Sequence, residues 1–225
     1  EVLMKSPPAC MAISLALLAL VLAMGFGVLM GILRTTPSRA LVLLGNAWTE
    51  VFRNIPLLVQ LFIWYFVLPE LLPGKMGDSF KQMNPLAQQF LSAMVCLGLF
   101  TAARVAEQVR AGINSLPPGQ KNAGLAMGFT LAQCYRHVLL PMAYRIIVPP
   151  LTSEFLNIFK NSAVATTIGL IELSRQAQQL VDFTAQPYEA FIAVTLLYVM
   201  INVTVMYLMR RVEKTVQVPG FVGGK

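Results

Sequence analysis

The sequence predicts an all-α membrane protein, and three observations carry that prediction. Of 225 residues, 56% are hydrophobic and only 12% are charged, and the mean hydropathy is +0.66, a balance foreign to soluble domains and to disordered chains. Charge-free apolar runs approach or exceed the ~20 residues a helix needs to cross about 30 Å of hydrocarbon. The 17 Lys and Arg residues fall between those runs in an alternating pattern, which reads as membrane topology.

The same counts exclude other classes. Ten Asp and Glu and one His in such a chain leave little for a hydrolase or a metal cluster. The net charge of +7 is not gathered on one polar face, so nucleic acid is not an expected partner. Cys10, Cys96 and Cys134 are odd in number and far apart, which implies buried inert thiols rather than a disulfide framework.

Three spans are evident from length. Residues 9–33 carry no charge and only Ser14 as a polar interruption; the run is long for a signal peptide and lacks a clear cleavage site, so it reads as a retained span. The chain starts at Glu1 without an initiator Met, which leaves room for a leader or a short first segment ahead of it. Residues 82–103 and 189–209 are the second and third evident spans. Residues 54–69 are too short alone but extend backward through Leu41 to Leu44 and Val51, with Glu50 and Arg53 placed to pair on one face. Between Val138 and Ile171 the apolar character is interrupted by Arg145, Glu154 and Lys160, and Pro149-Pro150 predicts a kinked or broken helix there.

Counting Lys and Arg between spans gives the orientation. Residues 34–53 hold three, 104–145 hold five and the C-terminal tail holds four, against Lys5, Lys75, Lys81, Lys160 and Arg175 elsewhere. One transmembrane domain over 1–225 follows, with spans at about 9–33, 48–69, 84–110, 138–161 and 189–211. The N-terminus is outside, the C-terminus inside, a large cytoplasmic loop covers 113–141 and an external segment covers 162–188.

The loop has its own pattern. Residues 114–141 read NSLPPGQKNAGLAMGFTLAQCYRHVLLP. Pro117-Pro118-Gly119 ends one helix, Gln120 to Met127 is helix-prone, Gly128 permits a turn and Leu131 to Leu139 starts again. Two short helices joined at a glycine are shaped to dock in a partner's groove.

At this point the sequence resembles a known family, the membrane subunits of binding-protein-dependent ATP-binding-cassette importers. Their loop reads Glu-Ala-Ala, three residues, Gly, nine residues, Ile-x-Leu-Pro; here the same spacing gives Asn122-Ala123-Gly124, Gly128 and Val138-Leu139-Leu140-Pro141. Asn122 replaces the leading Glu, and Gly124 the second Ala. The segments GVLMGILRTTP (27–37), EVFRNIPLLVQLF (50–62) and VPPLTSEFLNIFKNSAVATTIGLIEL (148–173) are similar to the polar amino-acid permeases. LGLFTAARVAEQVR, SLPPGQKNA and the C-terminal VPGFVGGK look like a permease of the glutamate/aspartate importers. The resemblance implies a type I importer fold in a bacterial inner membrane. It implies a second permease subunit, by expectation a different chain although a homodimer is open, with two ATPase subunits below and a periplasmic amino-acid-binding protein above. Gly119, Gln120, Asn122, Ala123, Gly124, Ala126, Gly128 and Pro141 become the expected ATPase-coupling residues. No phosphate-binding loop of the Gly-x4-Gly-Lys-Ser/Thr type occurs, so ATP and Mg²⁺ are expected on the partner ATPases, with no cofactor and no enzymatic activity in this chain alone.

Ionisable groups within a span are costly and mark functional candidates. Ser153, Asn157 and Lys160 share one helical face, and Glu154, Asn157 and Asn161 an adjoining one. Lys160 suits a carboxylate and Glu154 an ammonium, and an amino acid carries both; the alternative is a structural pair between them or with a neighbouring helix. Gln60 either faces the pathway or makes an interhelical hydrogen bond, the simpler expectation. Trp64 and Tyr65 read as packing or interface aromatics, His137 as a lone packed imidazole and the twelve Met as gap-fillers. Glu172, Arg175, Gln176, Gln178, Gln179 and Asp182 read either as a short gating helix or, more simply, as a solvated connector. A secondary transporter, a channel and an intramembrane enzyme remain as competing classes, but no internal repeat, pore ring or catalytic pair supports them.

Overall fold

The computed structural model describes residues 8–216, and among them every regular element is helical. In chain order these are α1 (Pro8–Leu33), α2 (Arg39–Asn54), α3 (Leu57–Phe62), α4 (Leu68–Leu71), α5 (Gly74–Lys81), α6 (Pro85–Asn114), α7 (Pro118–Ala126), α8 (Leu131–Cys134), α9 (Leu140–Asn161), α10 (Leu173–Thr184) and α11 (Pro187–Val216). Wide π-type turns join α3 to α4 and α8 to α9, and a 3₁₀ turn, Ser162–Ile168, follows α9. Lys5 and the VPGFVGGK tail lie outside the described residues.

The bundle is organised around α1 against α6. On α1, Ala12, Ala16, Ala19 and Ala23 are almost wholly buried, and Gly27 and Gly31 continue the stripe. Small residues at this spacing let two backbones approach closely. A Cβ on Gly27 would stand 2.7 Å from the Ala102 carbonyl oxygen and the Val105 Cβ. Two apolar cores flank this contact. One gathers Leu15, Leu61, Phe90, Leu97, Ile158 and Leu170, with Trp64 and Tyr65 packed against it; the other gathers Val105, Val109, Leu139, Ile147 and Leu151.

By length and composition three helices can cross a membrane, 9–33, 85–114 and 187–216, or four if a bent pair counts as one span. That pair lies where the span at 48–69 was expected, and it is bent. The helix begins at Arg39, and the chain turns through 102° between Asn54 and Leu57. The cause is local: Pro56 biases Ile55 away from helical geometry, and Ile55 is extended at φ −87°, ψ 128°.

Of the kinked or broken helix predicted at Pro149-Pro150, the break is corrected. α9 runs unbroken from Leu140 to Asn161 with both prolines inside it, and both prolines are exposed. Elsewhere proline acts on the preceding turn: Pro69 and Pro141 cannot donate to Tyr65 and His137, and both carbonyls lie in the wide π-type turns, Ile63–Val67 and Tyr135–Leu139.

The outermost helix is α11. None of its most apolar stretch is buried, and Leu196, Val199, Val203 and Leu208 face outward. Its inner side meets α9 through a hydrogen bond from the Thr152 hydroxyl to the Glu213 carboxylate.

Candidate functional site

The segment after α6 folds as two short helices, α7 and α8, joined by Met127 to Thr130. Gly128 sits at φ +86°, the left-handed region where a side chain is disfavoured. Its amide donates to the Leu125 carbonyl at 3.0 Å and the Phe129 amide to the Gly124 carbonyl at 3.1 Å, which closes the end of α7 with a Schellman motif. α8 opens with a capping box: the Thr130 hydroxyl accepts from the Gln133 amide, and the Gln133 side chain accepts from the Thr130 amide. The turn is thus capped on both sides.

Within this turn Gly124 is buried while Asn122, Ala123, Leu125, Ala126 and Met127 are exposed. A Cβ on Gly124 would lie 2.9 Å from the Cys134 Sγ, so glycine at this position is matched to the thiol that packs on it. Gly119 is exposed, Gln120 half-buried and Pro141 exposed. The whole unit is tied back to the bundle by Tyr135, whose hydroxyl donates to the Thr35 carbonyl at 2.6 Å. His137 is exposed, with its ring 6.4 Å from that of Phe129.

The second assembly lies between α6 and α9. Glu154 is 7% exposed; its Oε1 accepts from the Gln108 side chain at 3.2 Å, and its Oε2 lies 3.9 Å from an Arg104 guanidinium nitrogen. Arg104 also stands over the Phe100 ring, 4.9 Å from its centroid. Glu154 therefore engages the neighbouring helix and not Lys160, which is exposed and has no ion pair among the described residues. Ser153 is exposed and Asn157 and Asn161 are half-buried, so the Ser153, Asn157, Lys160 face of α9 is largely uncovered.

Gln60 is placed apart from this cluster. Buried at 3% exposure, it donates from Nε2 to the Phe52 carbonyl at 2.8 Å and the Ile55 carbonyl at 2.9 Å. It thus satisfies carbonyls freed by the bend between α2 and α3. A cavity of about 200 Å³ beside it is lined by Val51, Phe52, Ile63 and Trp64 among others.

Two further networks follow, the first centred on Glu107, which sequence reasoning did not single out, and the second on Glu172, which it did. Glu107 binds Arg34 at 2.8 Å and both Arg53 and Arg110 at 3.2 Å, while Arg34 also donates to Asn46 at 2.7 Å. Arg53 thus pairs with Glu107 and not with Glu50, whose carboxylate accepts from Asn54. At the other network Glu172, fully buried, caps α10: it accepts from the Ser174 and Arg175 amides, from the Thr166 hydroxyl at 2.6 Å and from the Tyr198 hydroxyl at 2.6 Å. With Leu173 and Ala177 also buried, this segment is a packed amphipathic helix rather than a solvated connector. The available signal for Arg104 was the same as for Glu154, an ionisable group in an apolar run. Among the described residues no three His, Cys, Asp or Glu side chains converge as metal ligands.

The geometry can be set beside known proteins. The chain is 58% identical over 214 residues to the glutamate/aspartate import permease protein GltJ of Escherichia coli (strain K12), a match covering 95% of this chain and 87% of GltJ. It is 31% identical over 202 residues to the arginine transport system permease protein ArtQ of Bacillus subtilis (strain 168), covering 90% and 87%. Among solved structures, the crystal structure of an amino acid ABC transporter with histidines matches with a TM-score of 0.77 at 29% identity, over 92% of this chain and 91% of that one. The fold is accordingly that of a type I ABC importer permease. Residues 10–218 match the family model described as binding-protein-dependent transport system inner membrane component, and with nearly the whole chain matched, the protein belongs to that family.

Proposed function

We propose that this chain is the membrane-spanning permease subunit of an ATP-driven importer that takes up glutamate and aspartate delivered by a periplasmic binding protein. The observation that carries the reading is the doubly capped turn of α7 and α8, which presents a rigid, exposed surface at the spacing of the importer coupling loop. The likeness to GltJ supports the substrate, and the likeness to ArtQ supports arginine as the second reading.

In this reading the chain spans the membrane five times, with α9 as the fourth span, the N-terminus outside and the loop 113–141 and C-terminus in the cytoplasm. A second permease subunit, a different chain by expectation, completes the pathway. ATP and Mg²⁺ are bound by two partner ATPase subunits, and the turn around Gly128 seats in them. Closure of the ATPases drives the turn as a lever and opens the cavity outward; hydrolysis resets it inward. Ser153, Glu154, Asn157, Lys160 and Asn161 line the route between α6 and α9, and Gln60 holds the bend that shapes the adjoining wall. The lever works only because the turn is capped and tied through Tyr135 to Thr35 in the turn after α1, so movement at the loop reaches the bundle.

Reconstituting the chain with candidate companion, ATPase and binding-protein subunits in liposomes tests this. ATP-dependent accumulation of labelled glutamate in preference to arginine is expected. Arginine uptake would replace the substrate, and glutamate movement without ATP or partners would overturn the class.

A further inference from the structure

Two arginines of this protein sit beside a carboxylate, and they are held in opposite ways. Arg34 has a side chain 2% exposed, binds Glu107 at 2.8 Å and has a second bond to Asn46. Such an arginine is committed to structure. Arg104 is 44% exposed and stands 3.9 Å from a Glu154 oxygen, well beyond the ~2.8 Å of a charge-assisted hydrogen bond. The Phe100 ring supports one face of its guanidinium, leaving donors of the planar fork unspent.

Charge counting adds a second reason. Arg104, Lys160 and Glu154 together carry a net charge of +1 when all are ionised, and Lys160 has no ion pair among the described residues. An acidic amino acid, with two carboxylates and one ammonium, carries a net charge of −1. Its amide carries none. Building on the function proposed above, we propose that Arg104 is a specificity-determining residue whose guanidinium takes the side-chain carboxylate of an acidic amino acid beside the uncovered face of α9. Lys160 then serves the other carboxylate, and Glu154, held by Gln108, serves the ammonium. Discrimination against the amide arises because the amide leaves a cation of the site without its counter-charge.

The test is equilibrium binding of labelled glutamate and labelled glutamine to the complete membrane complex in nanodiscs, without the binding protein, so that its selectivity does not intervene. The wild-type complex is expected to prefer glutamate. Arg104→Gln is expected to cut the glutamate-to-glutamine ratio by about tenfold or more, the worth of a hydrogen bond to a charged group. Arg104→Lys keeps the charge without the fork and should fall between. If Arg104→Gln fails to assemble, the double variant Arg104→Gln/Glu154→Gln removes both members of the pair, and the same ratio is read; loss of the preference supports the assignment and retention overturns it. Equal weakening of both ligands by Arg104→Gln would make Arg104 a structural counter-ion and end the proposal. A wild-type preference that Arg104→Gln leaves intact, or a wild-type complex without any preference for glutamate, sinks this inference alone, whereas the proposed substrate fails only if the uptake assay above, with the binding protein present, shows no glutamate accumulation.

Discussion

Arg34, at the end of α1, drives its guanidinium to 2.8 Å from the carboxylate of Glu107 on α6, with its own side chain only 2% exposed. Its stem also fills the space beside Gly45 of α2, where a Cβ would meet the Arg34 Cγ at 2.7 Å. One buried cation thus pins three helices. Because Arg53 and Arg110 share the same carboxylate, Glu107 is, among the described residues, the single counter-charge of three arginines.

Glu107→Ala removes that counter-charge and leaves Arg34 buried and unpaired. A loss of about 2–3 kcal/mol is expected, below the usual figure for a wholly buried pair because Glu107 is one-third exposed. Thermal unfolding of the purified complex checks this. Glu107→Asp, which keeps the charge, should retain more of the stability, and equal losses for both variants would argue against an electrostatic origin.

The turn between α7 and α8 gives a paired prediction. Gly128→Asn should be tolerated, because asparagine enters the left-handed region readily and no heavy atom lies within 4 Å of a Cβ there. Gly128→Val should cost about 1–2 kcal/mol of local strain and uncouple ATP hydrolysis from uptake in the reconstituted complex. Equal uptake in the two variants would detach the turn's geometry from coupling.

Gly124→Ala tests the match with Cys134. The added methyl would meet the sulfur at 2.9 Å, an overpacking worth about 1–3 kcal/mol. Gly124→Ala/Cys134→Ala should recover most of it, since removing the sulfur opens the space. A double-mutant cycle on unfolding temperature measures the coupling, and strict additivity would refute it.

Tyr198→Phe removes the hydroxyl that donates to the buried Glu172 carboxylate at 2.6 Å. The expected loss is about 1.5–3 kcal/mol, that of a hydrogen bond to a charged group. Hydrogen exchange over α10 should rise with it, because Glu172 is also the cap of that helix. Unaltered exchange there would separate the cap from the tyrosine.

Gln60→Leu leaves the Phe52 and Ile55 carbonyls at the bend without their side-chain donor. Each buried unsatisfied group costs about 1–3 kcal/mol, so the variant should unfold earlier and transport less. Wild-type behaviour would show that water satisfies the bend instead.

One unforeseen bend and one expected break that did not form show what a linear reading lacks. Pro56 and Pro149-Pro150 look alike as letters, yet the first turns the chain by 102° and the second pair is accommodated inside α9. At the first, Gln60 folds back and donates to the Phe52 and Ile55 carbonyls at the bend; at the second, both prolines stand exposed within a continuous helix. Likewise Glu50 and Arg53 are neighbours in sequence, but Arg53 chooses a carboxylate 54 residues away.

By itself the sequence determined the helical class, the three long apolar helices and the spacing of the α7–α8 turn. Each of these follows from apolar run length or from glycine and proline chemistry within a few residues, and such causes are local. Only the tertiary structure decided which charges meet. Glu154 finds Gln108 across 46 residues, Arg34 is buried while Arg104 is left half-open, and Glu172 caps α10 under a tyrosine from α11. The rotation of α1, α6, α9 and α11 about their axes sets those partners, and that rotation is fixed by how small residues and side chains interlock between helices distant in the chain.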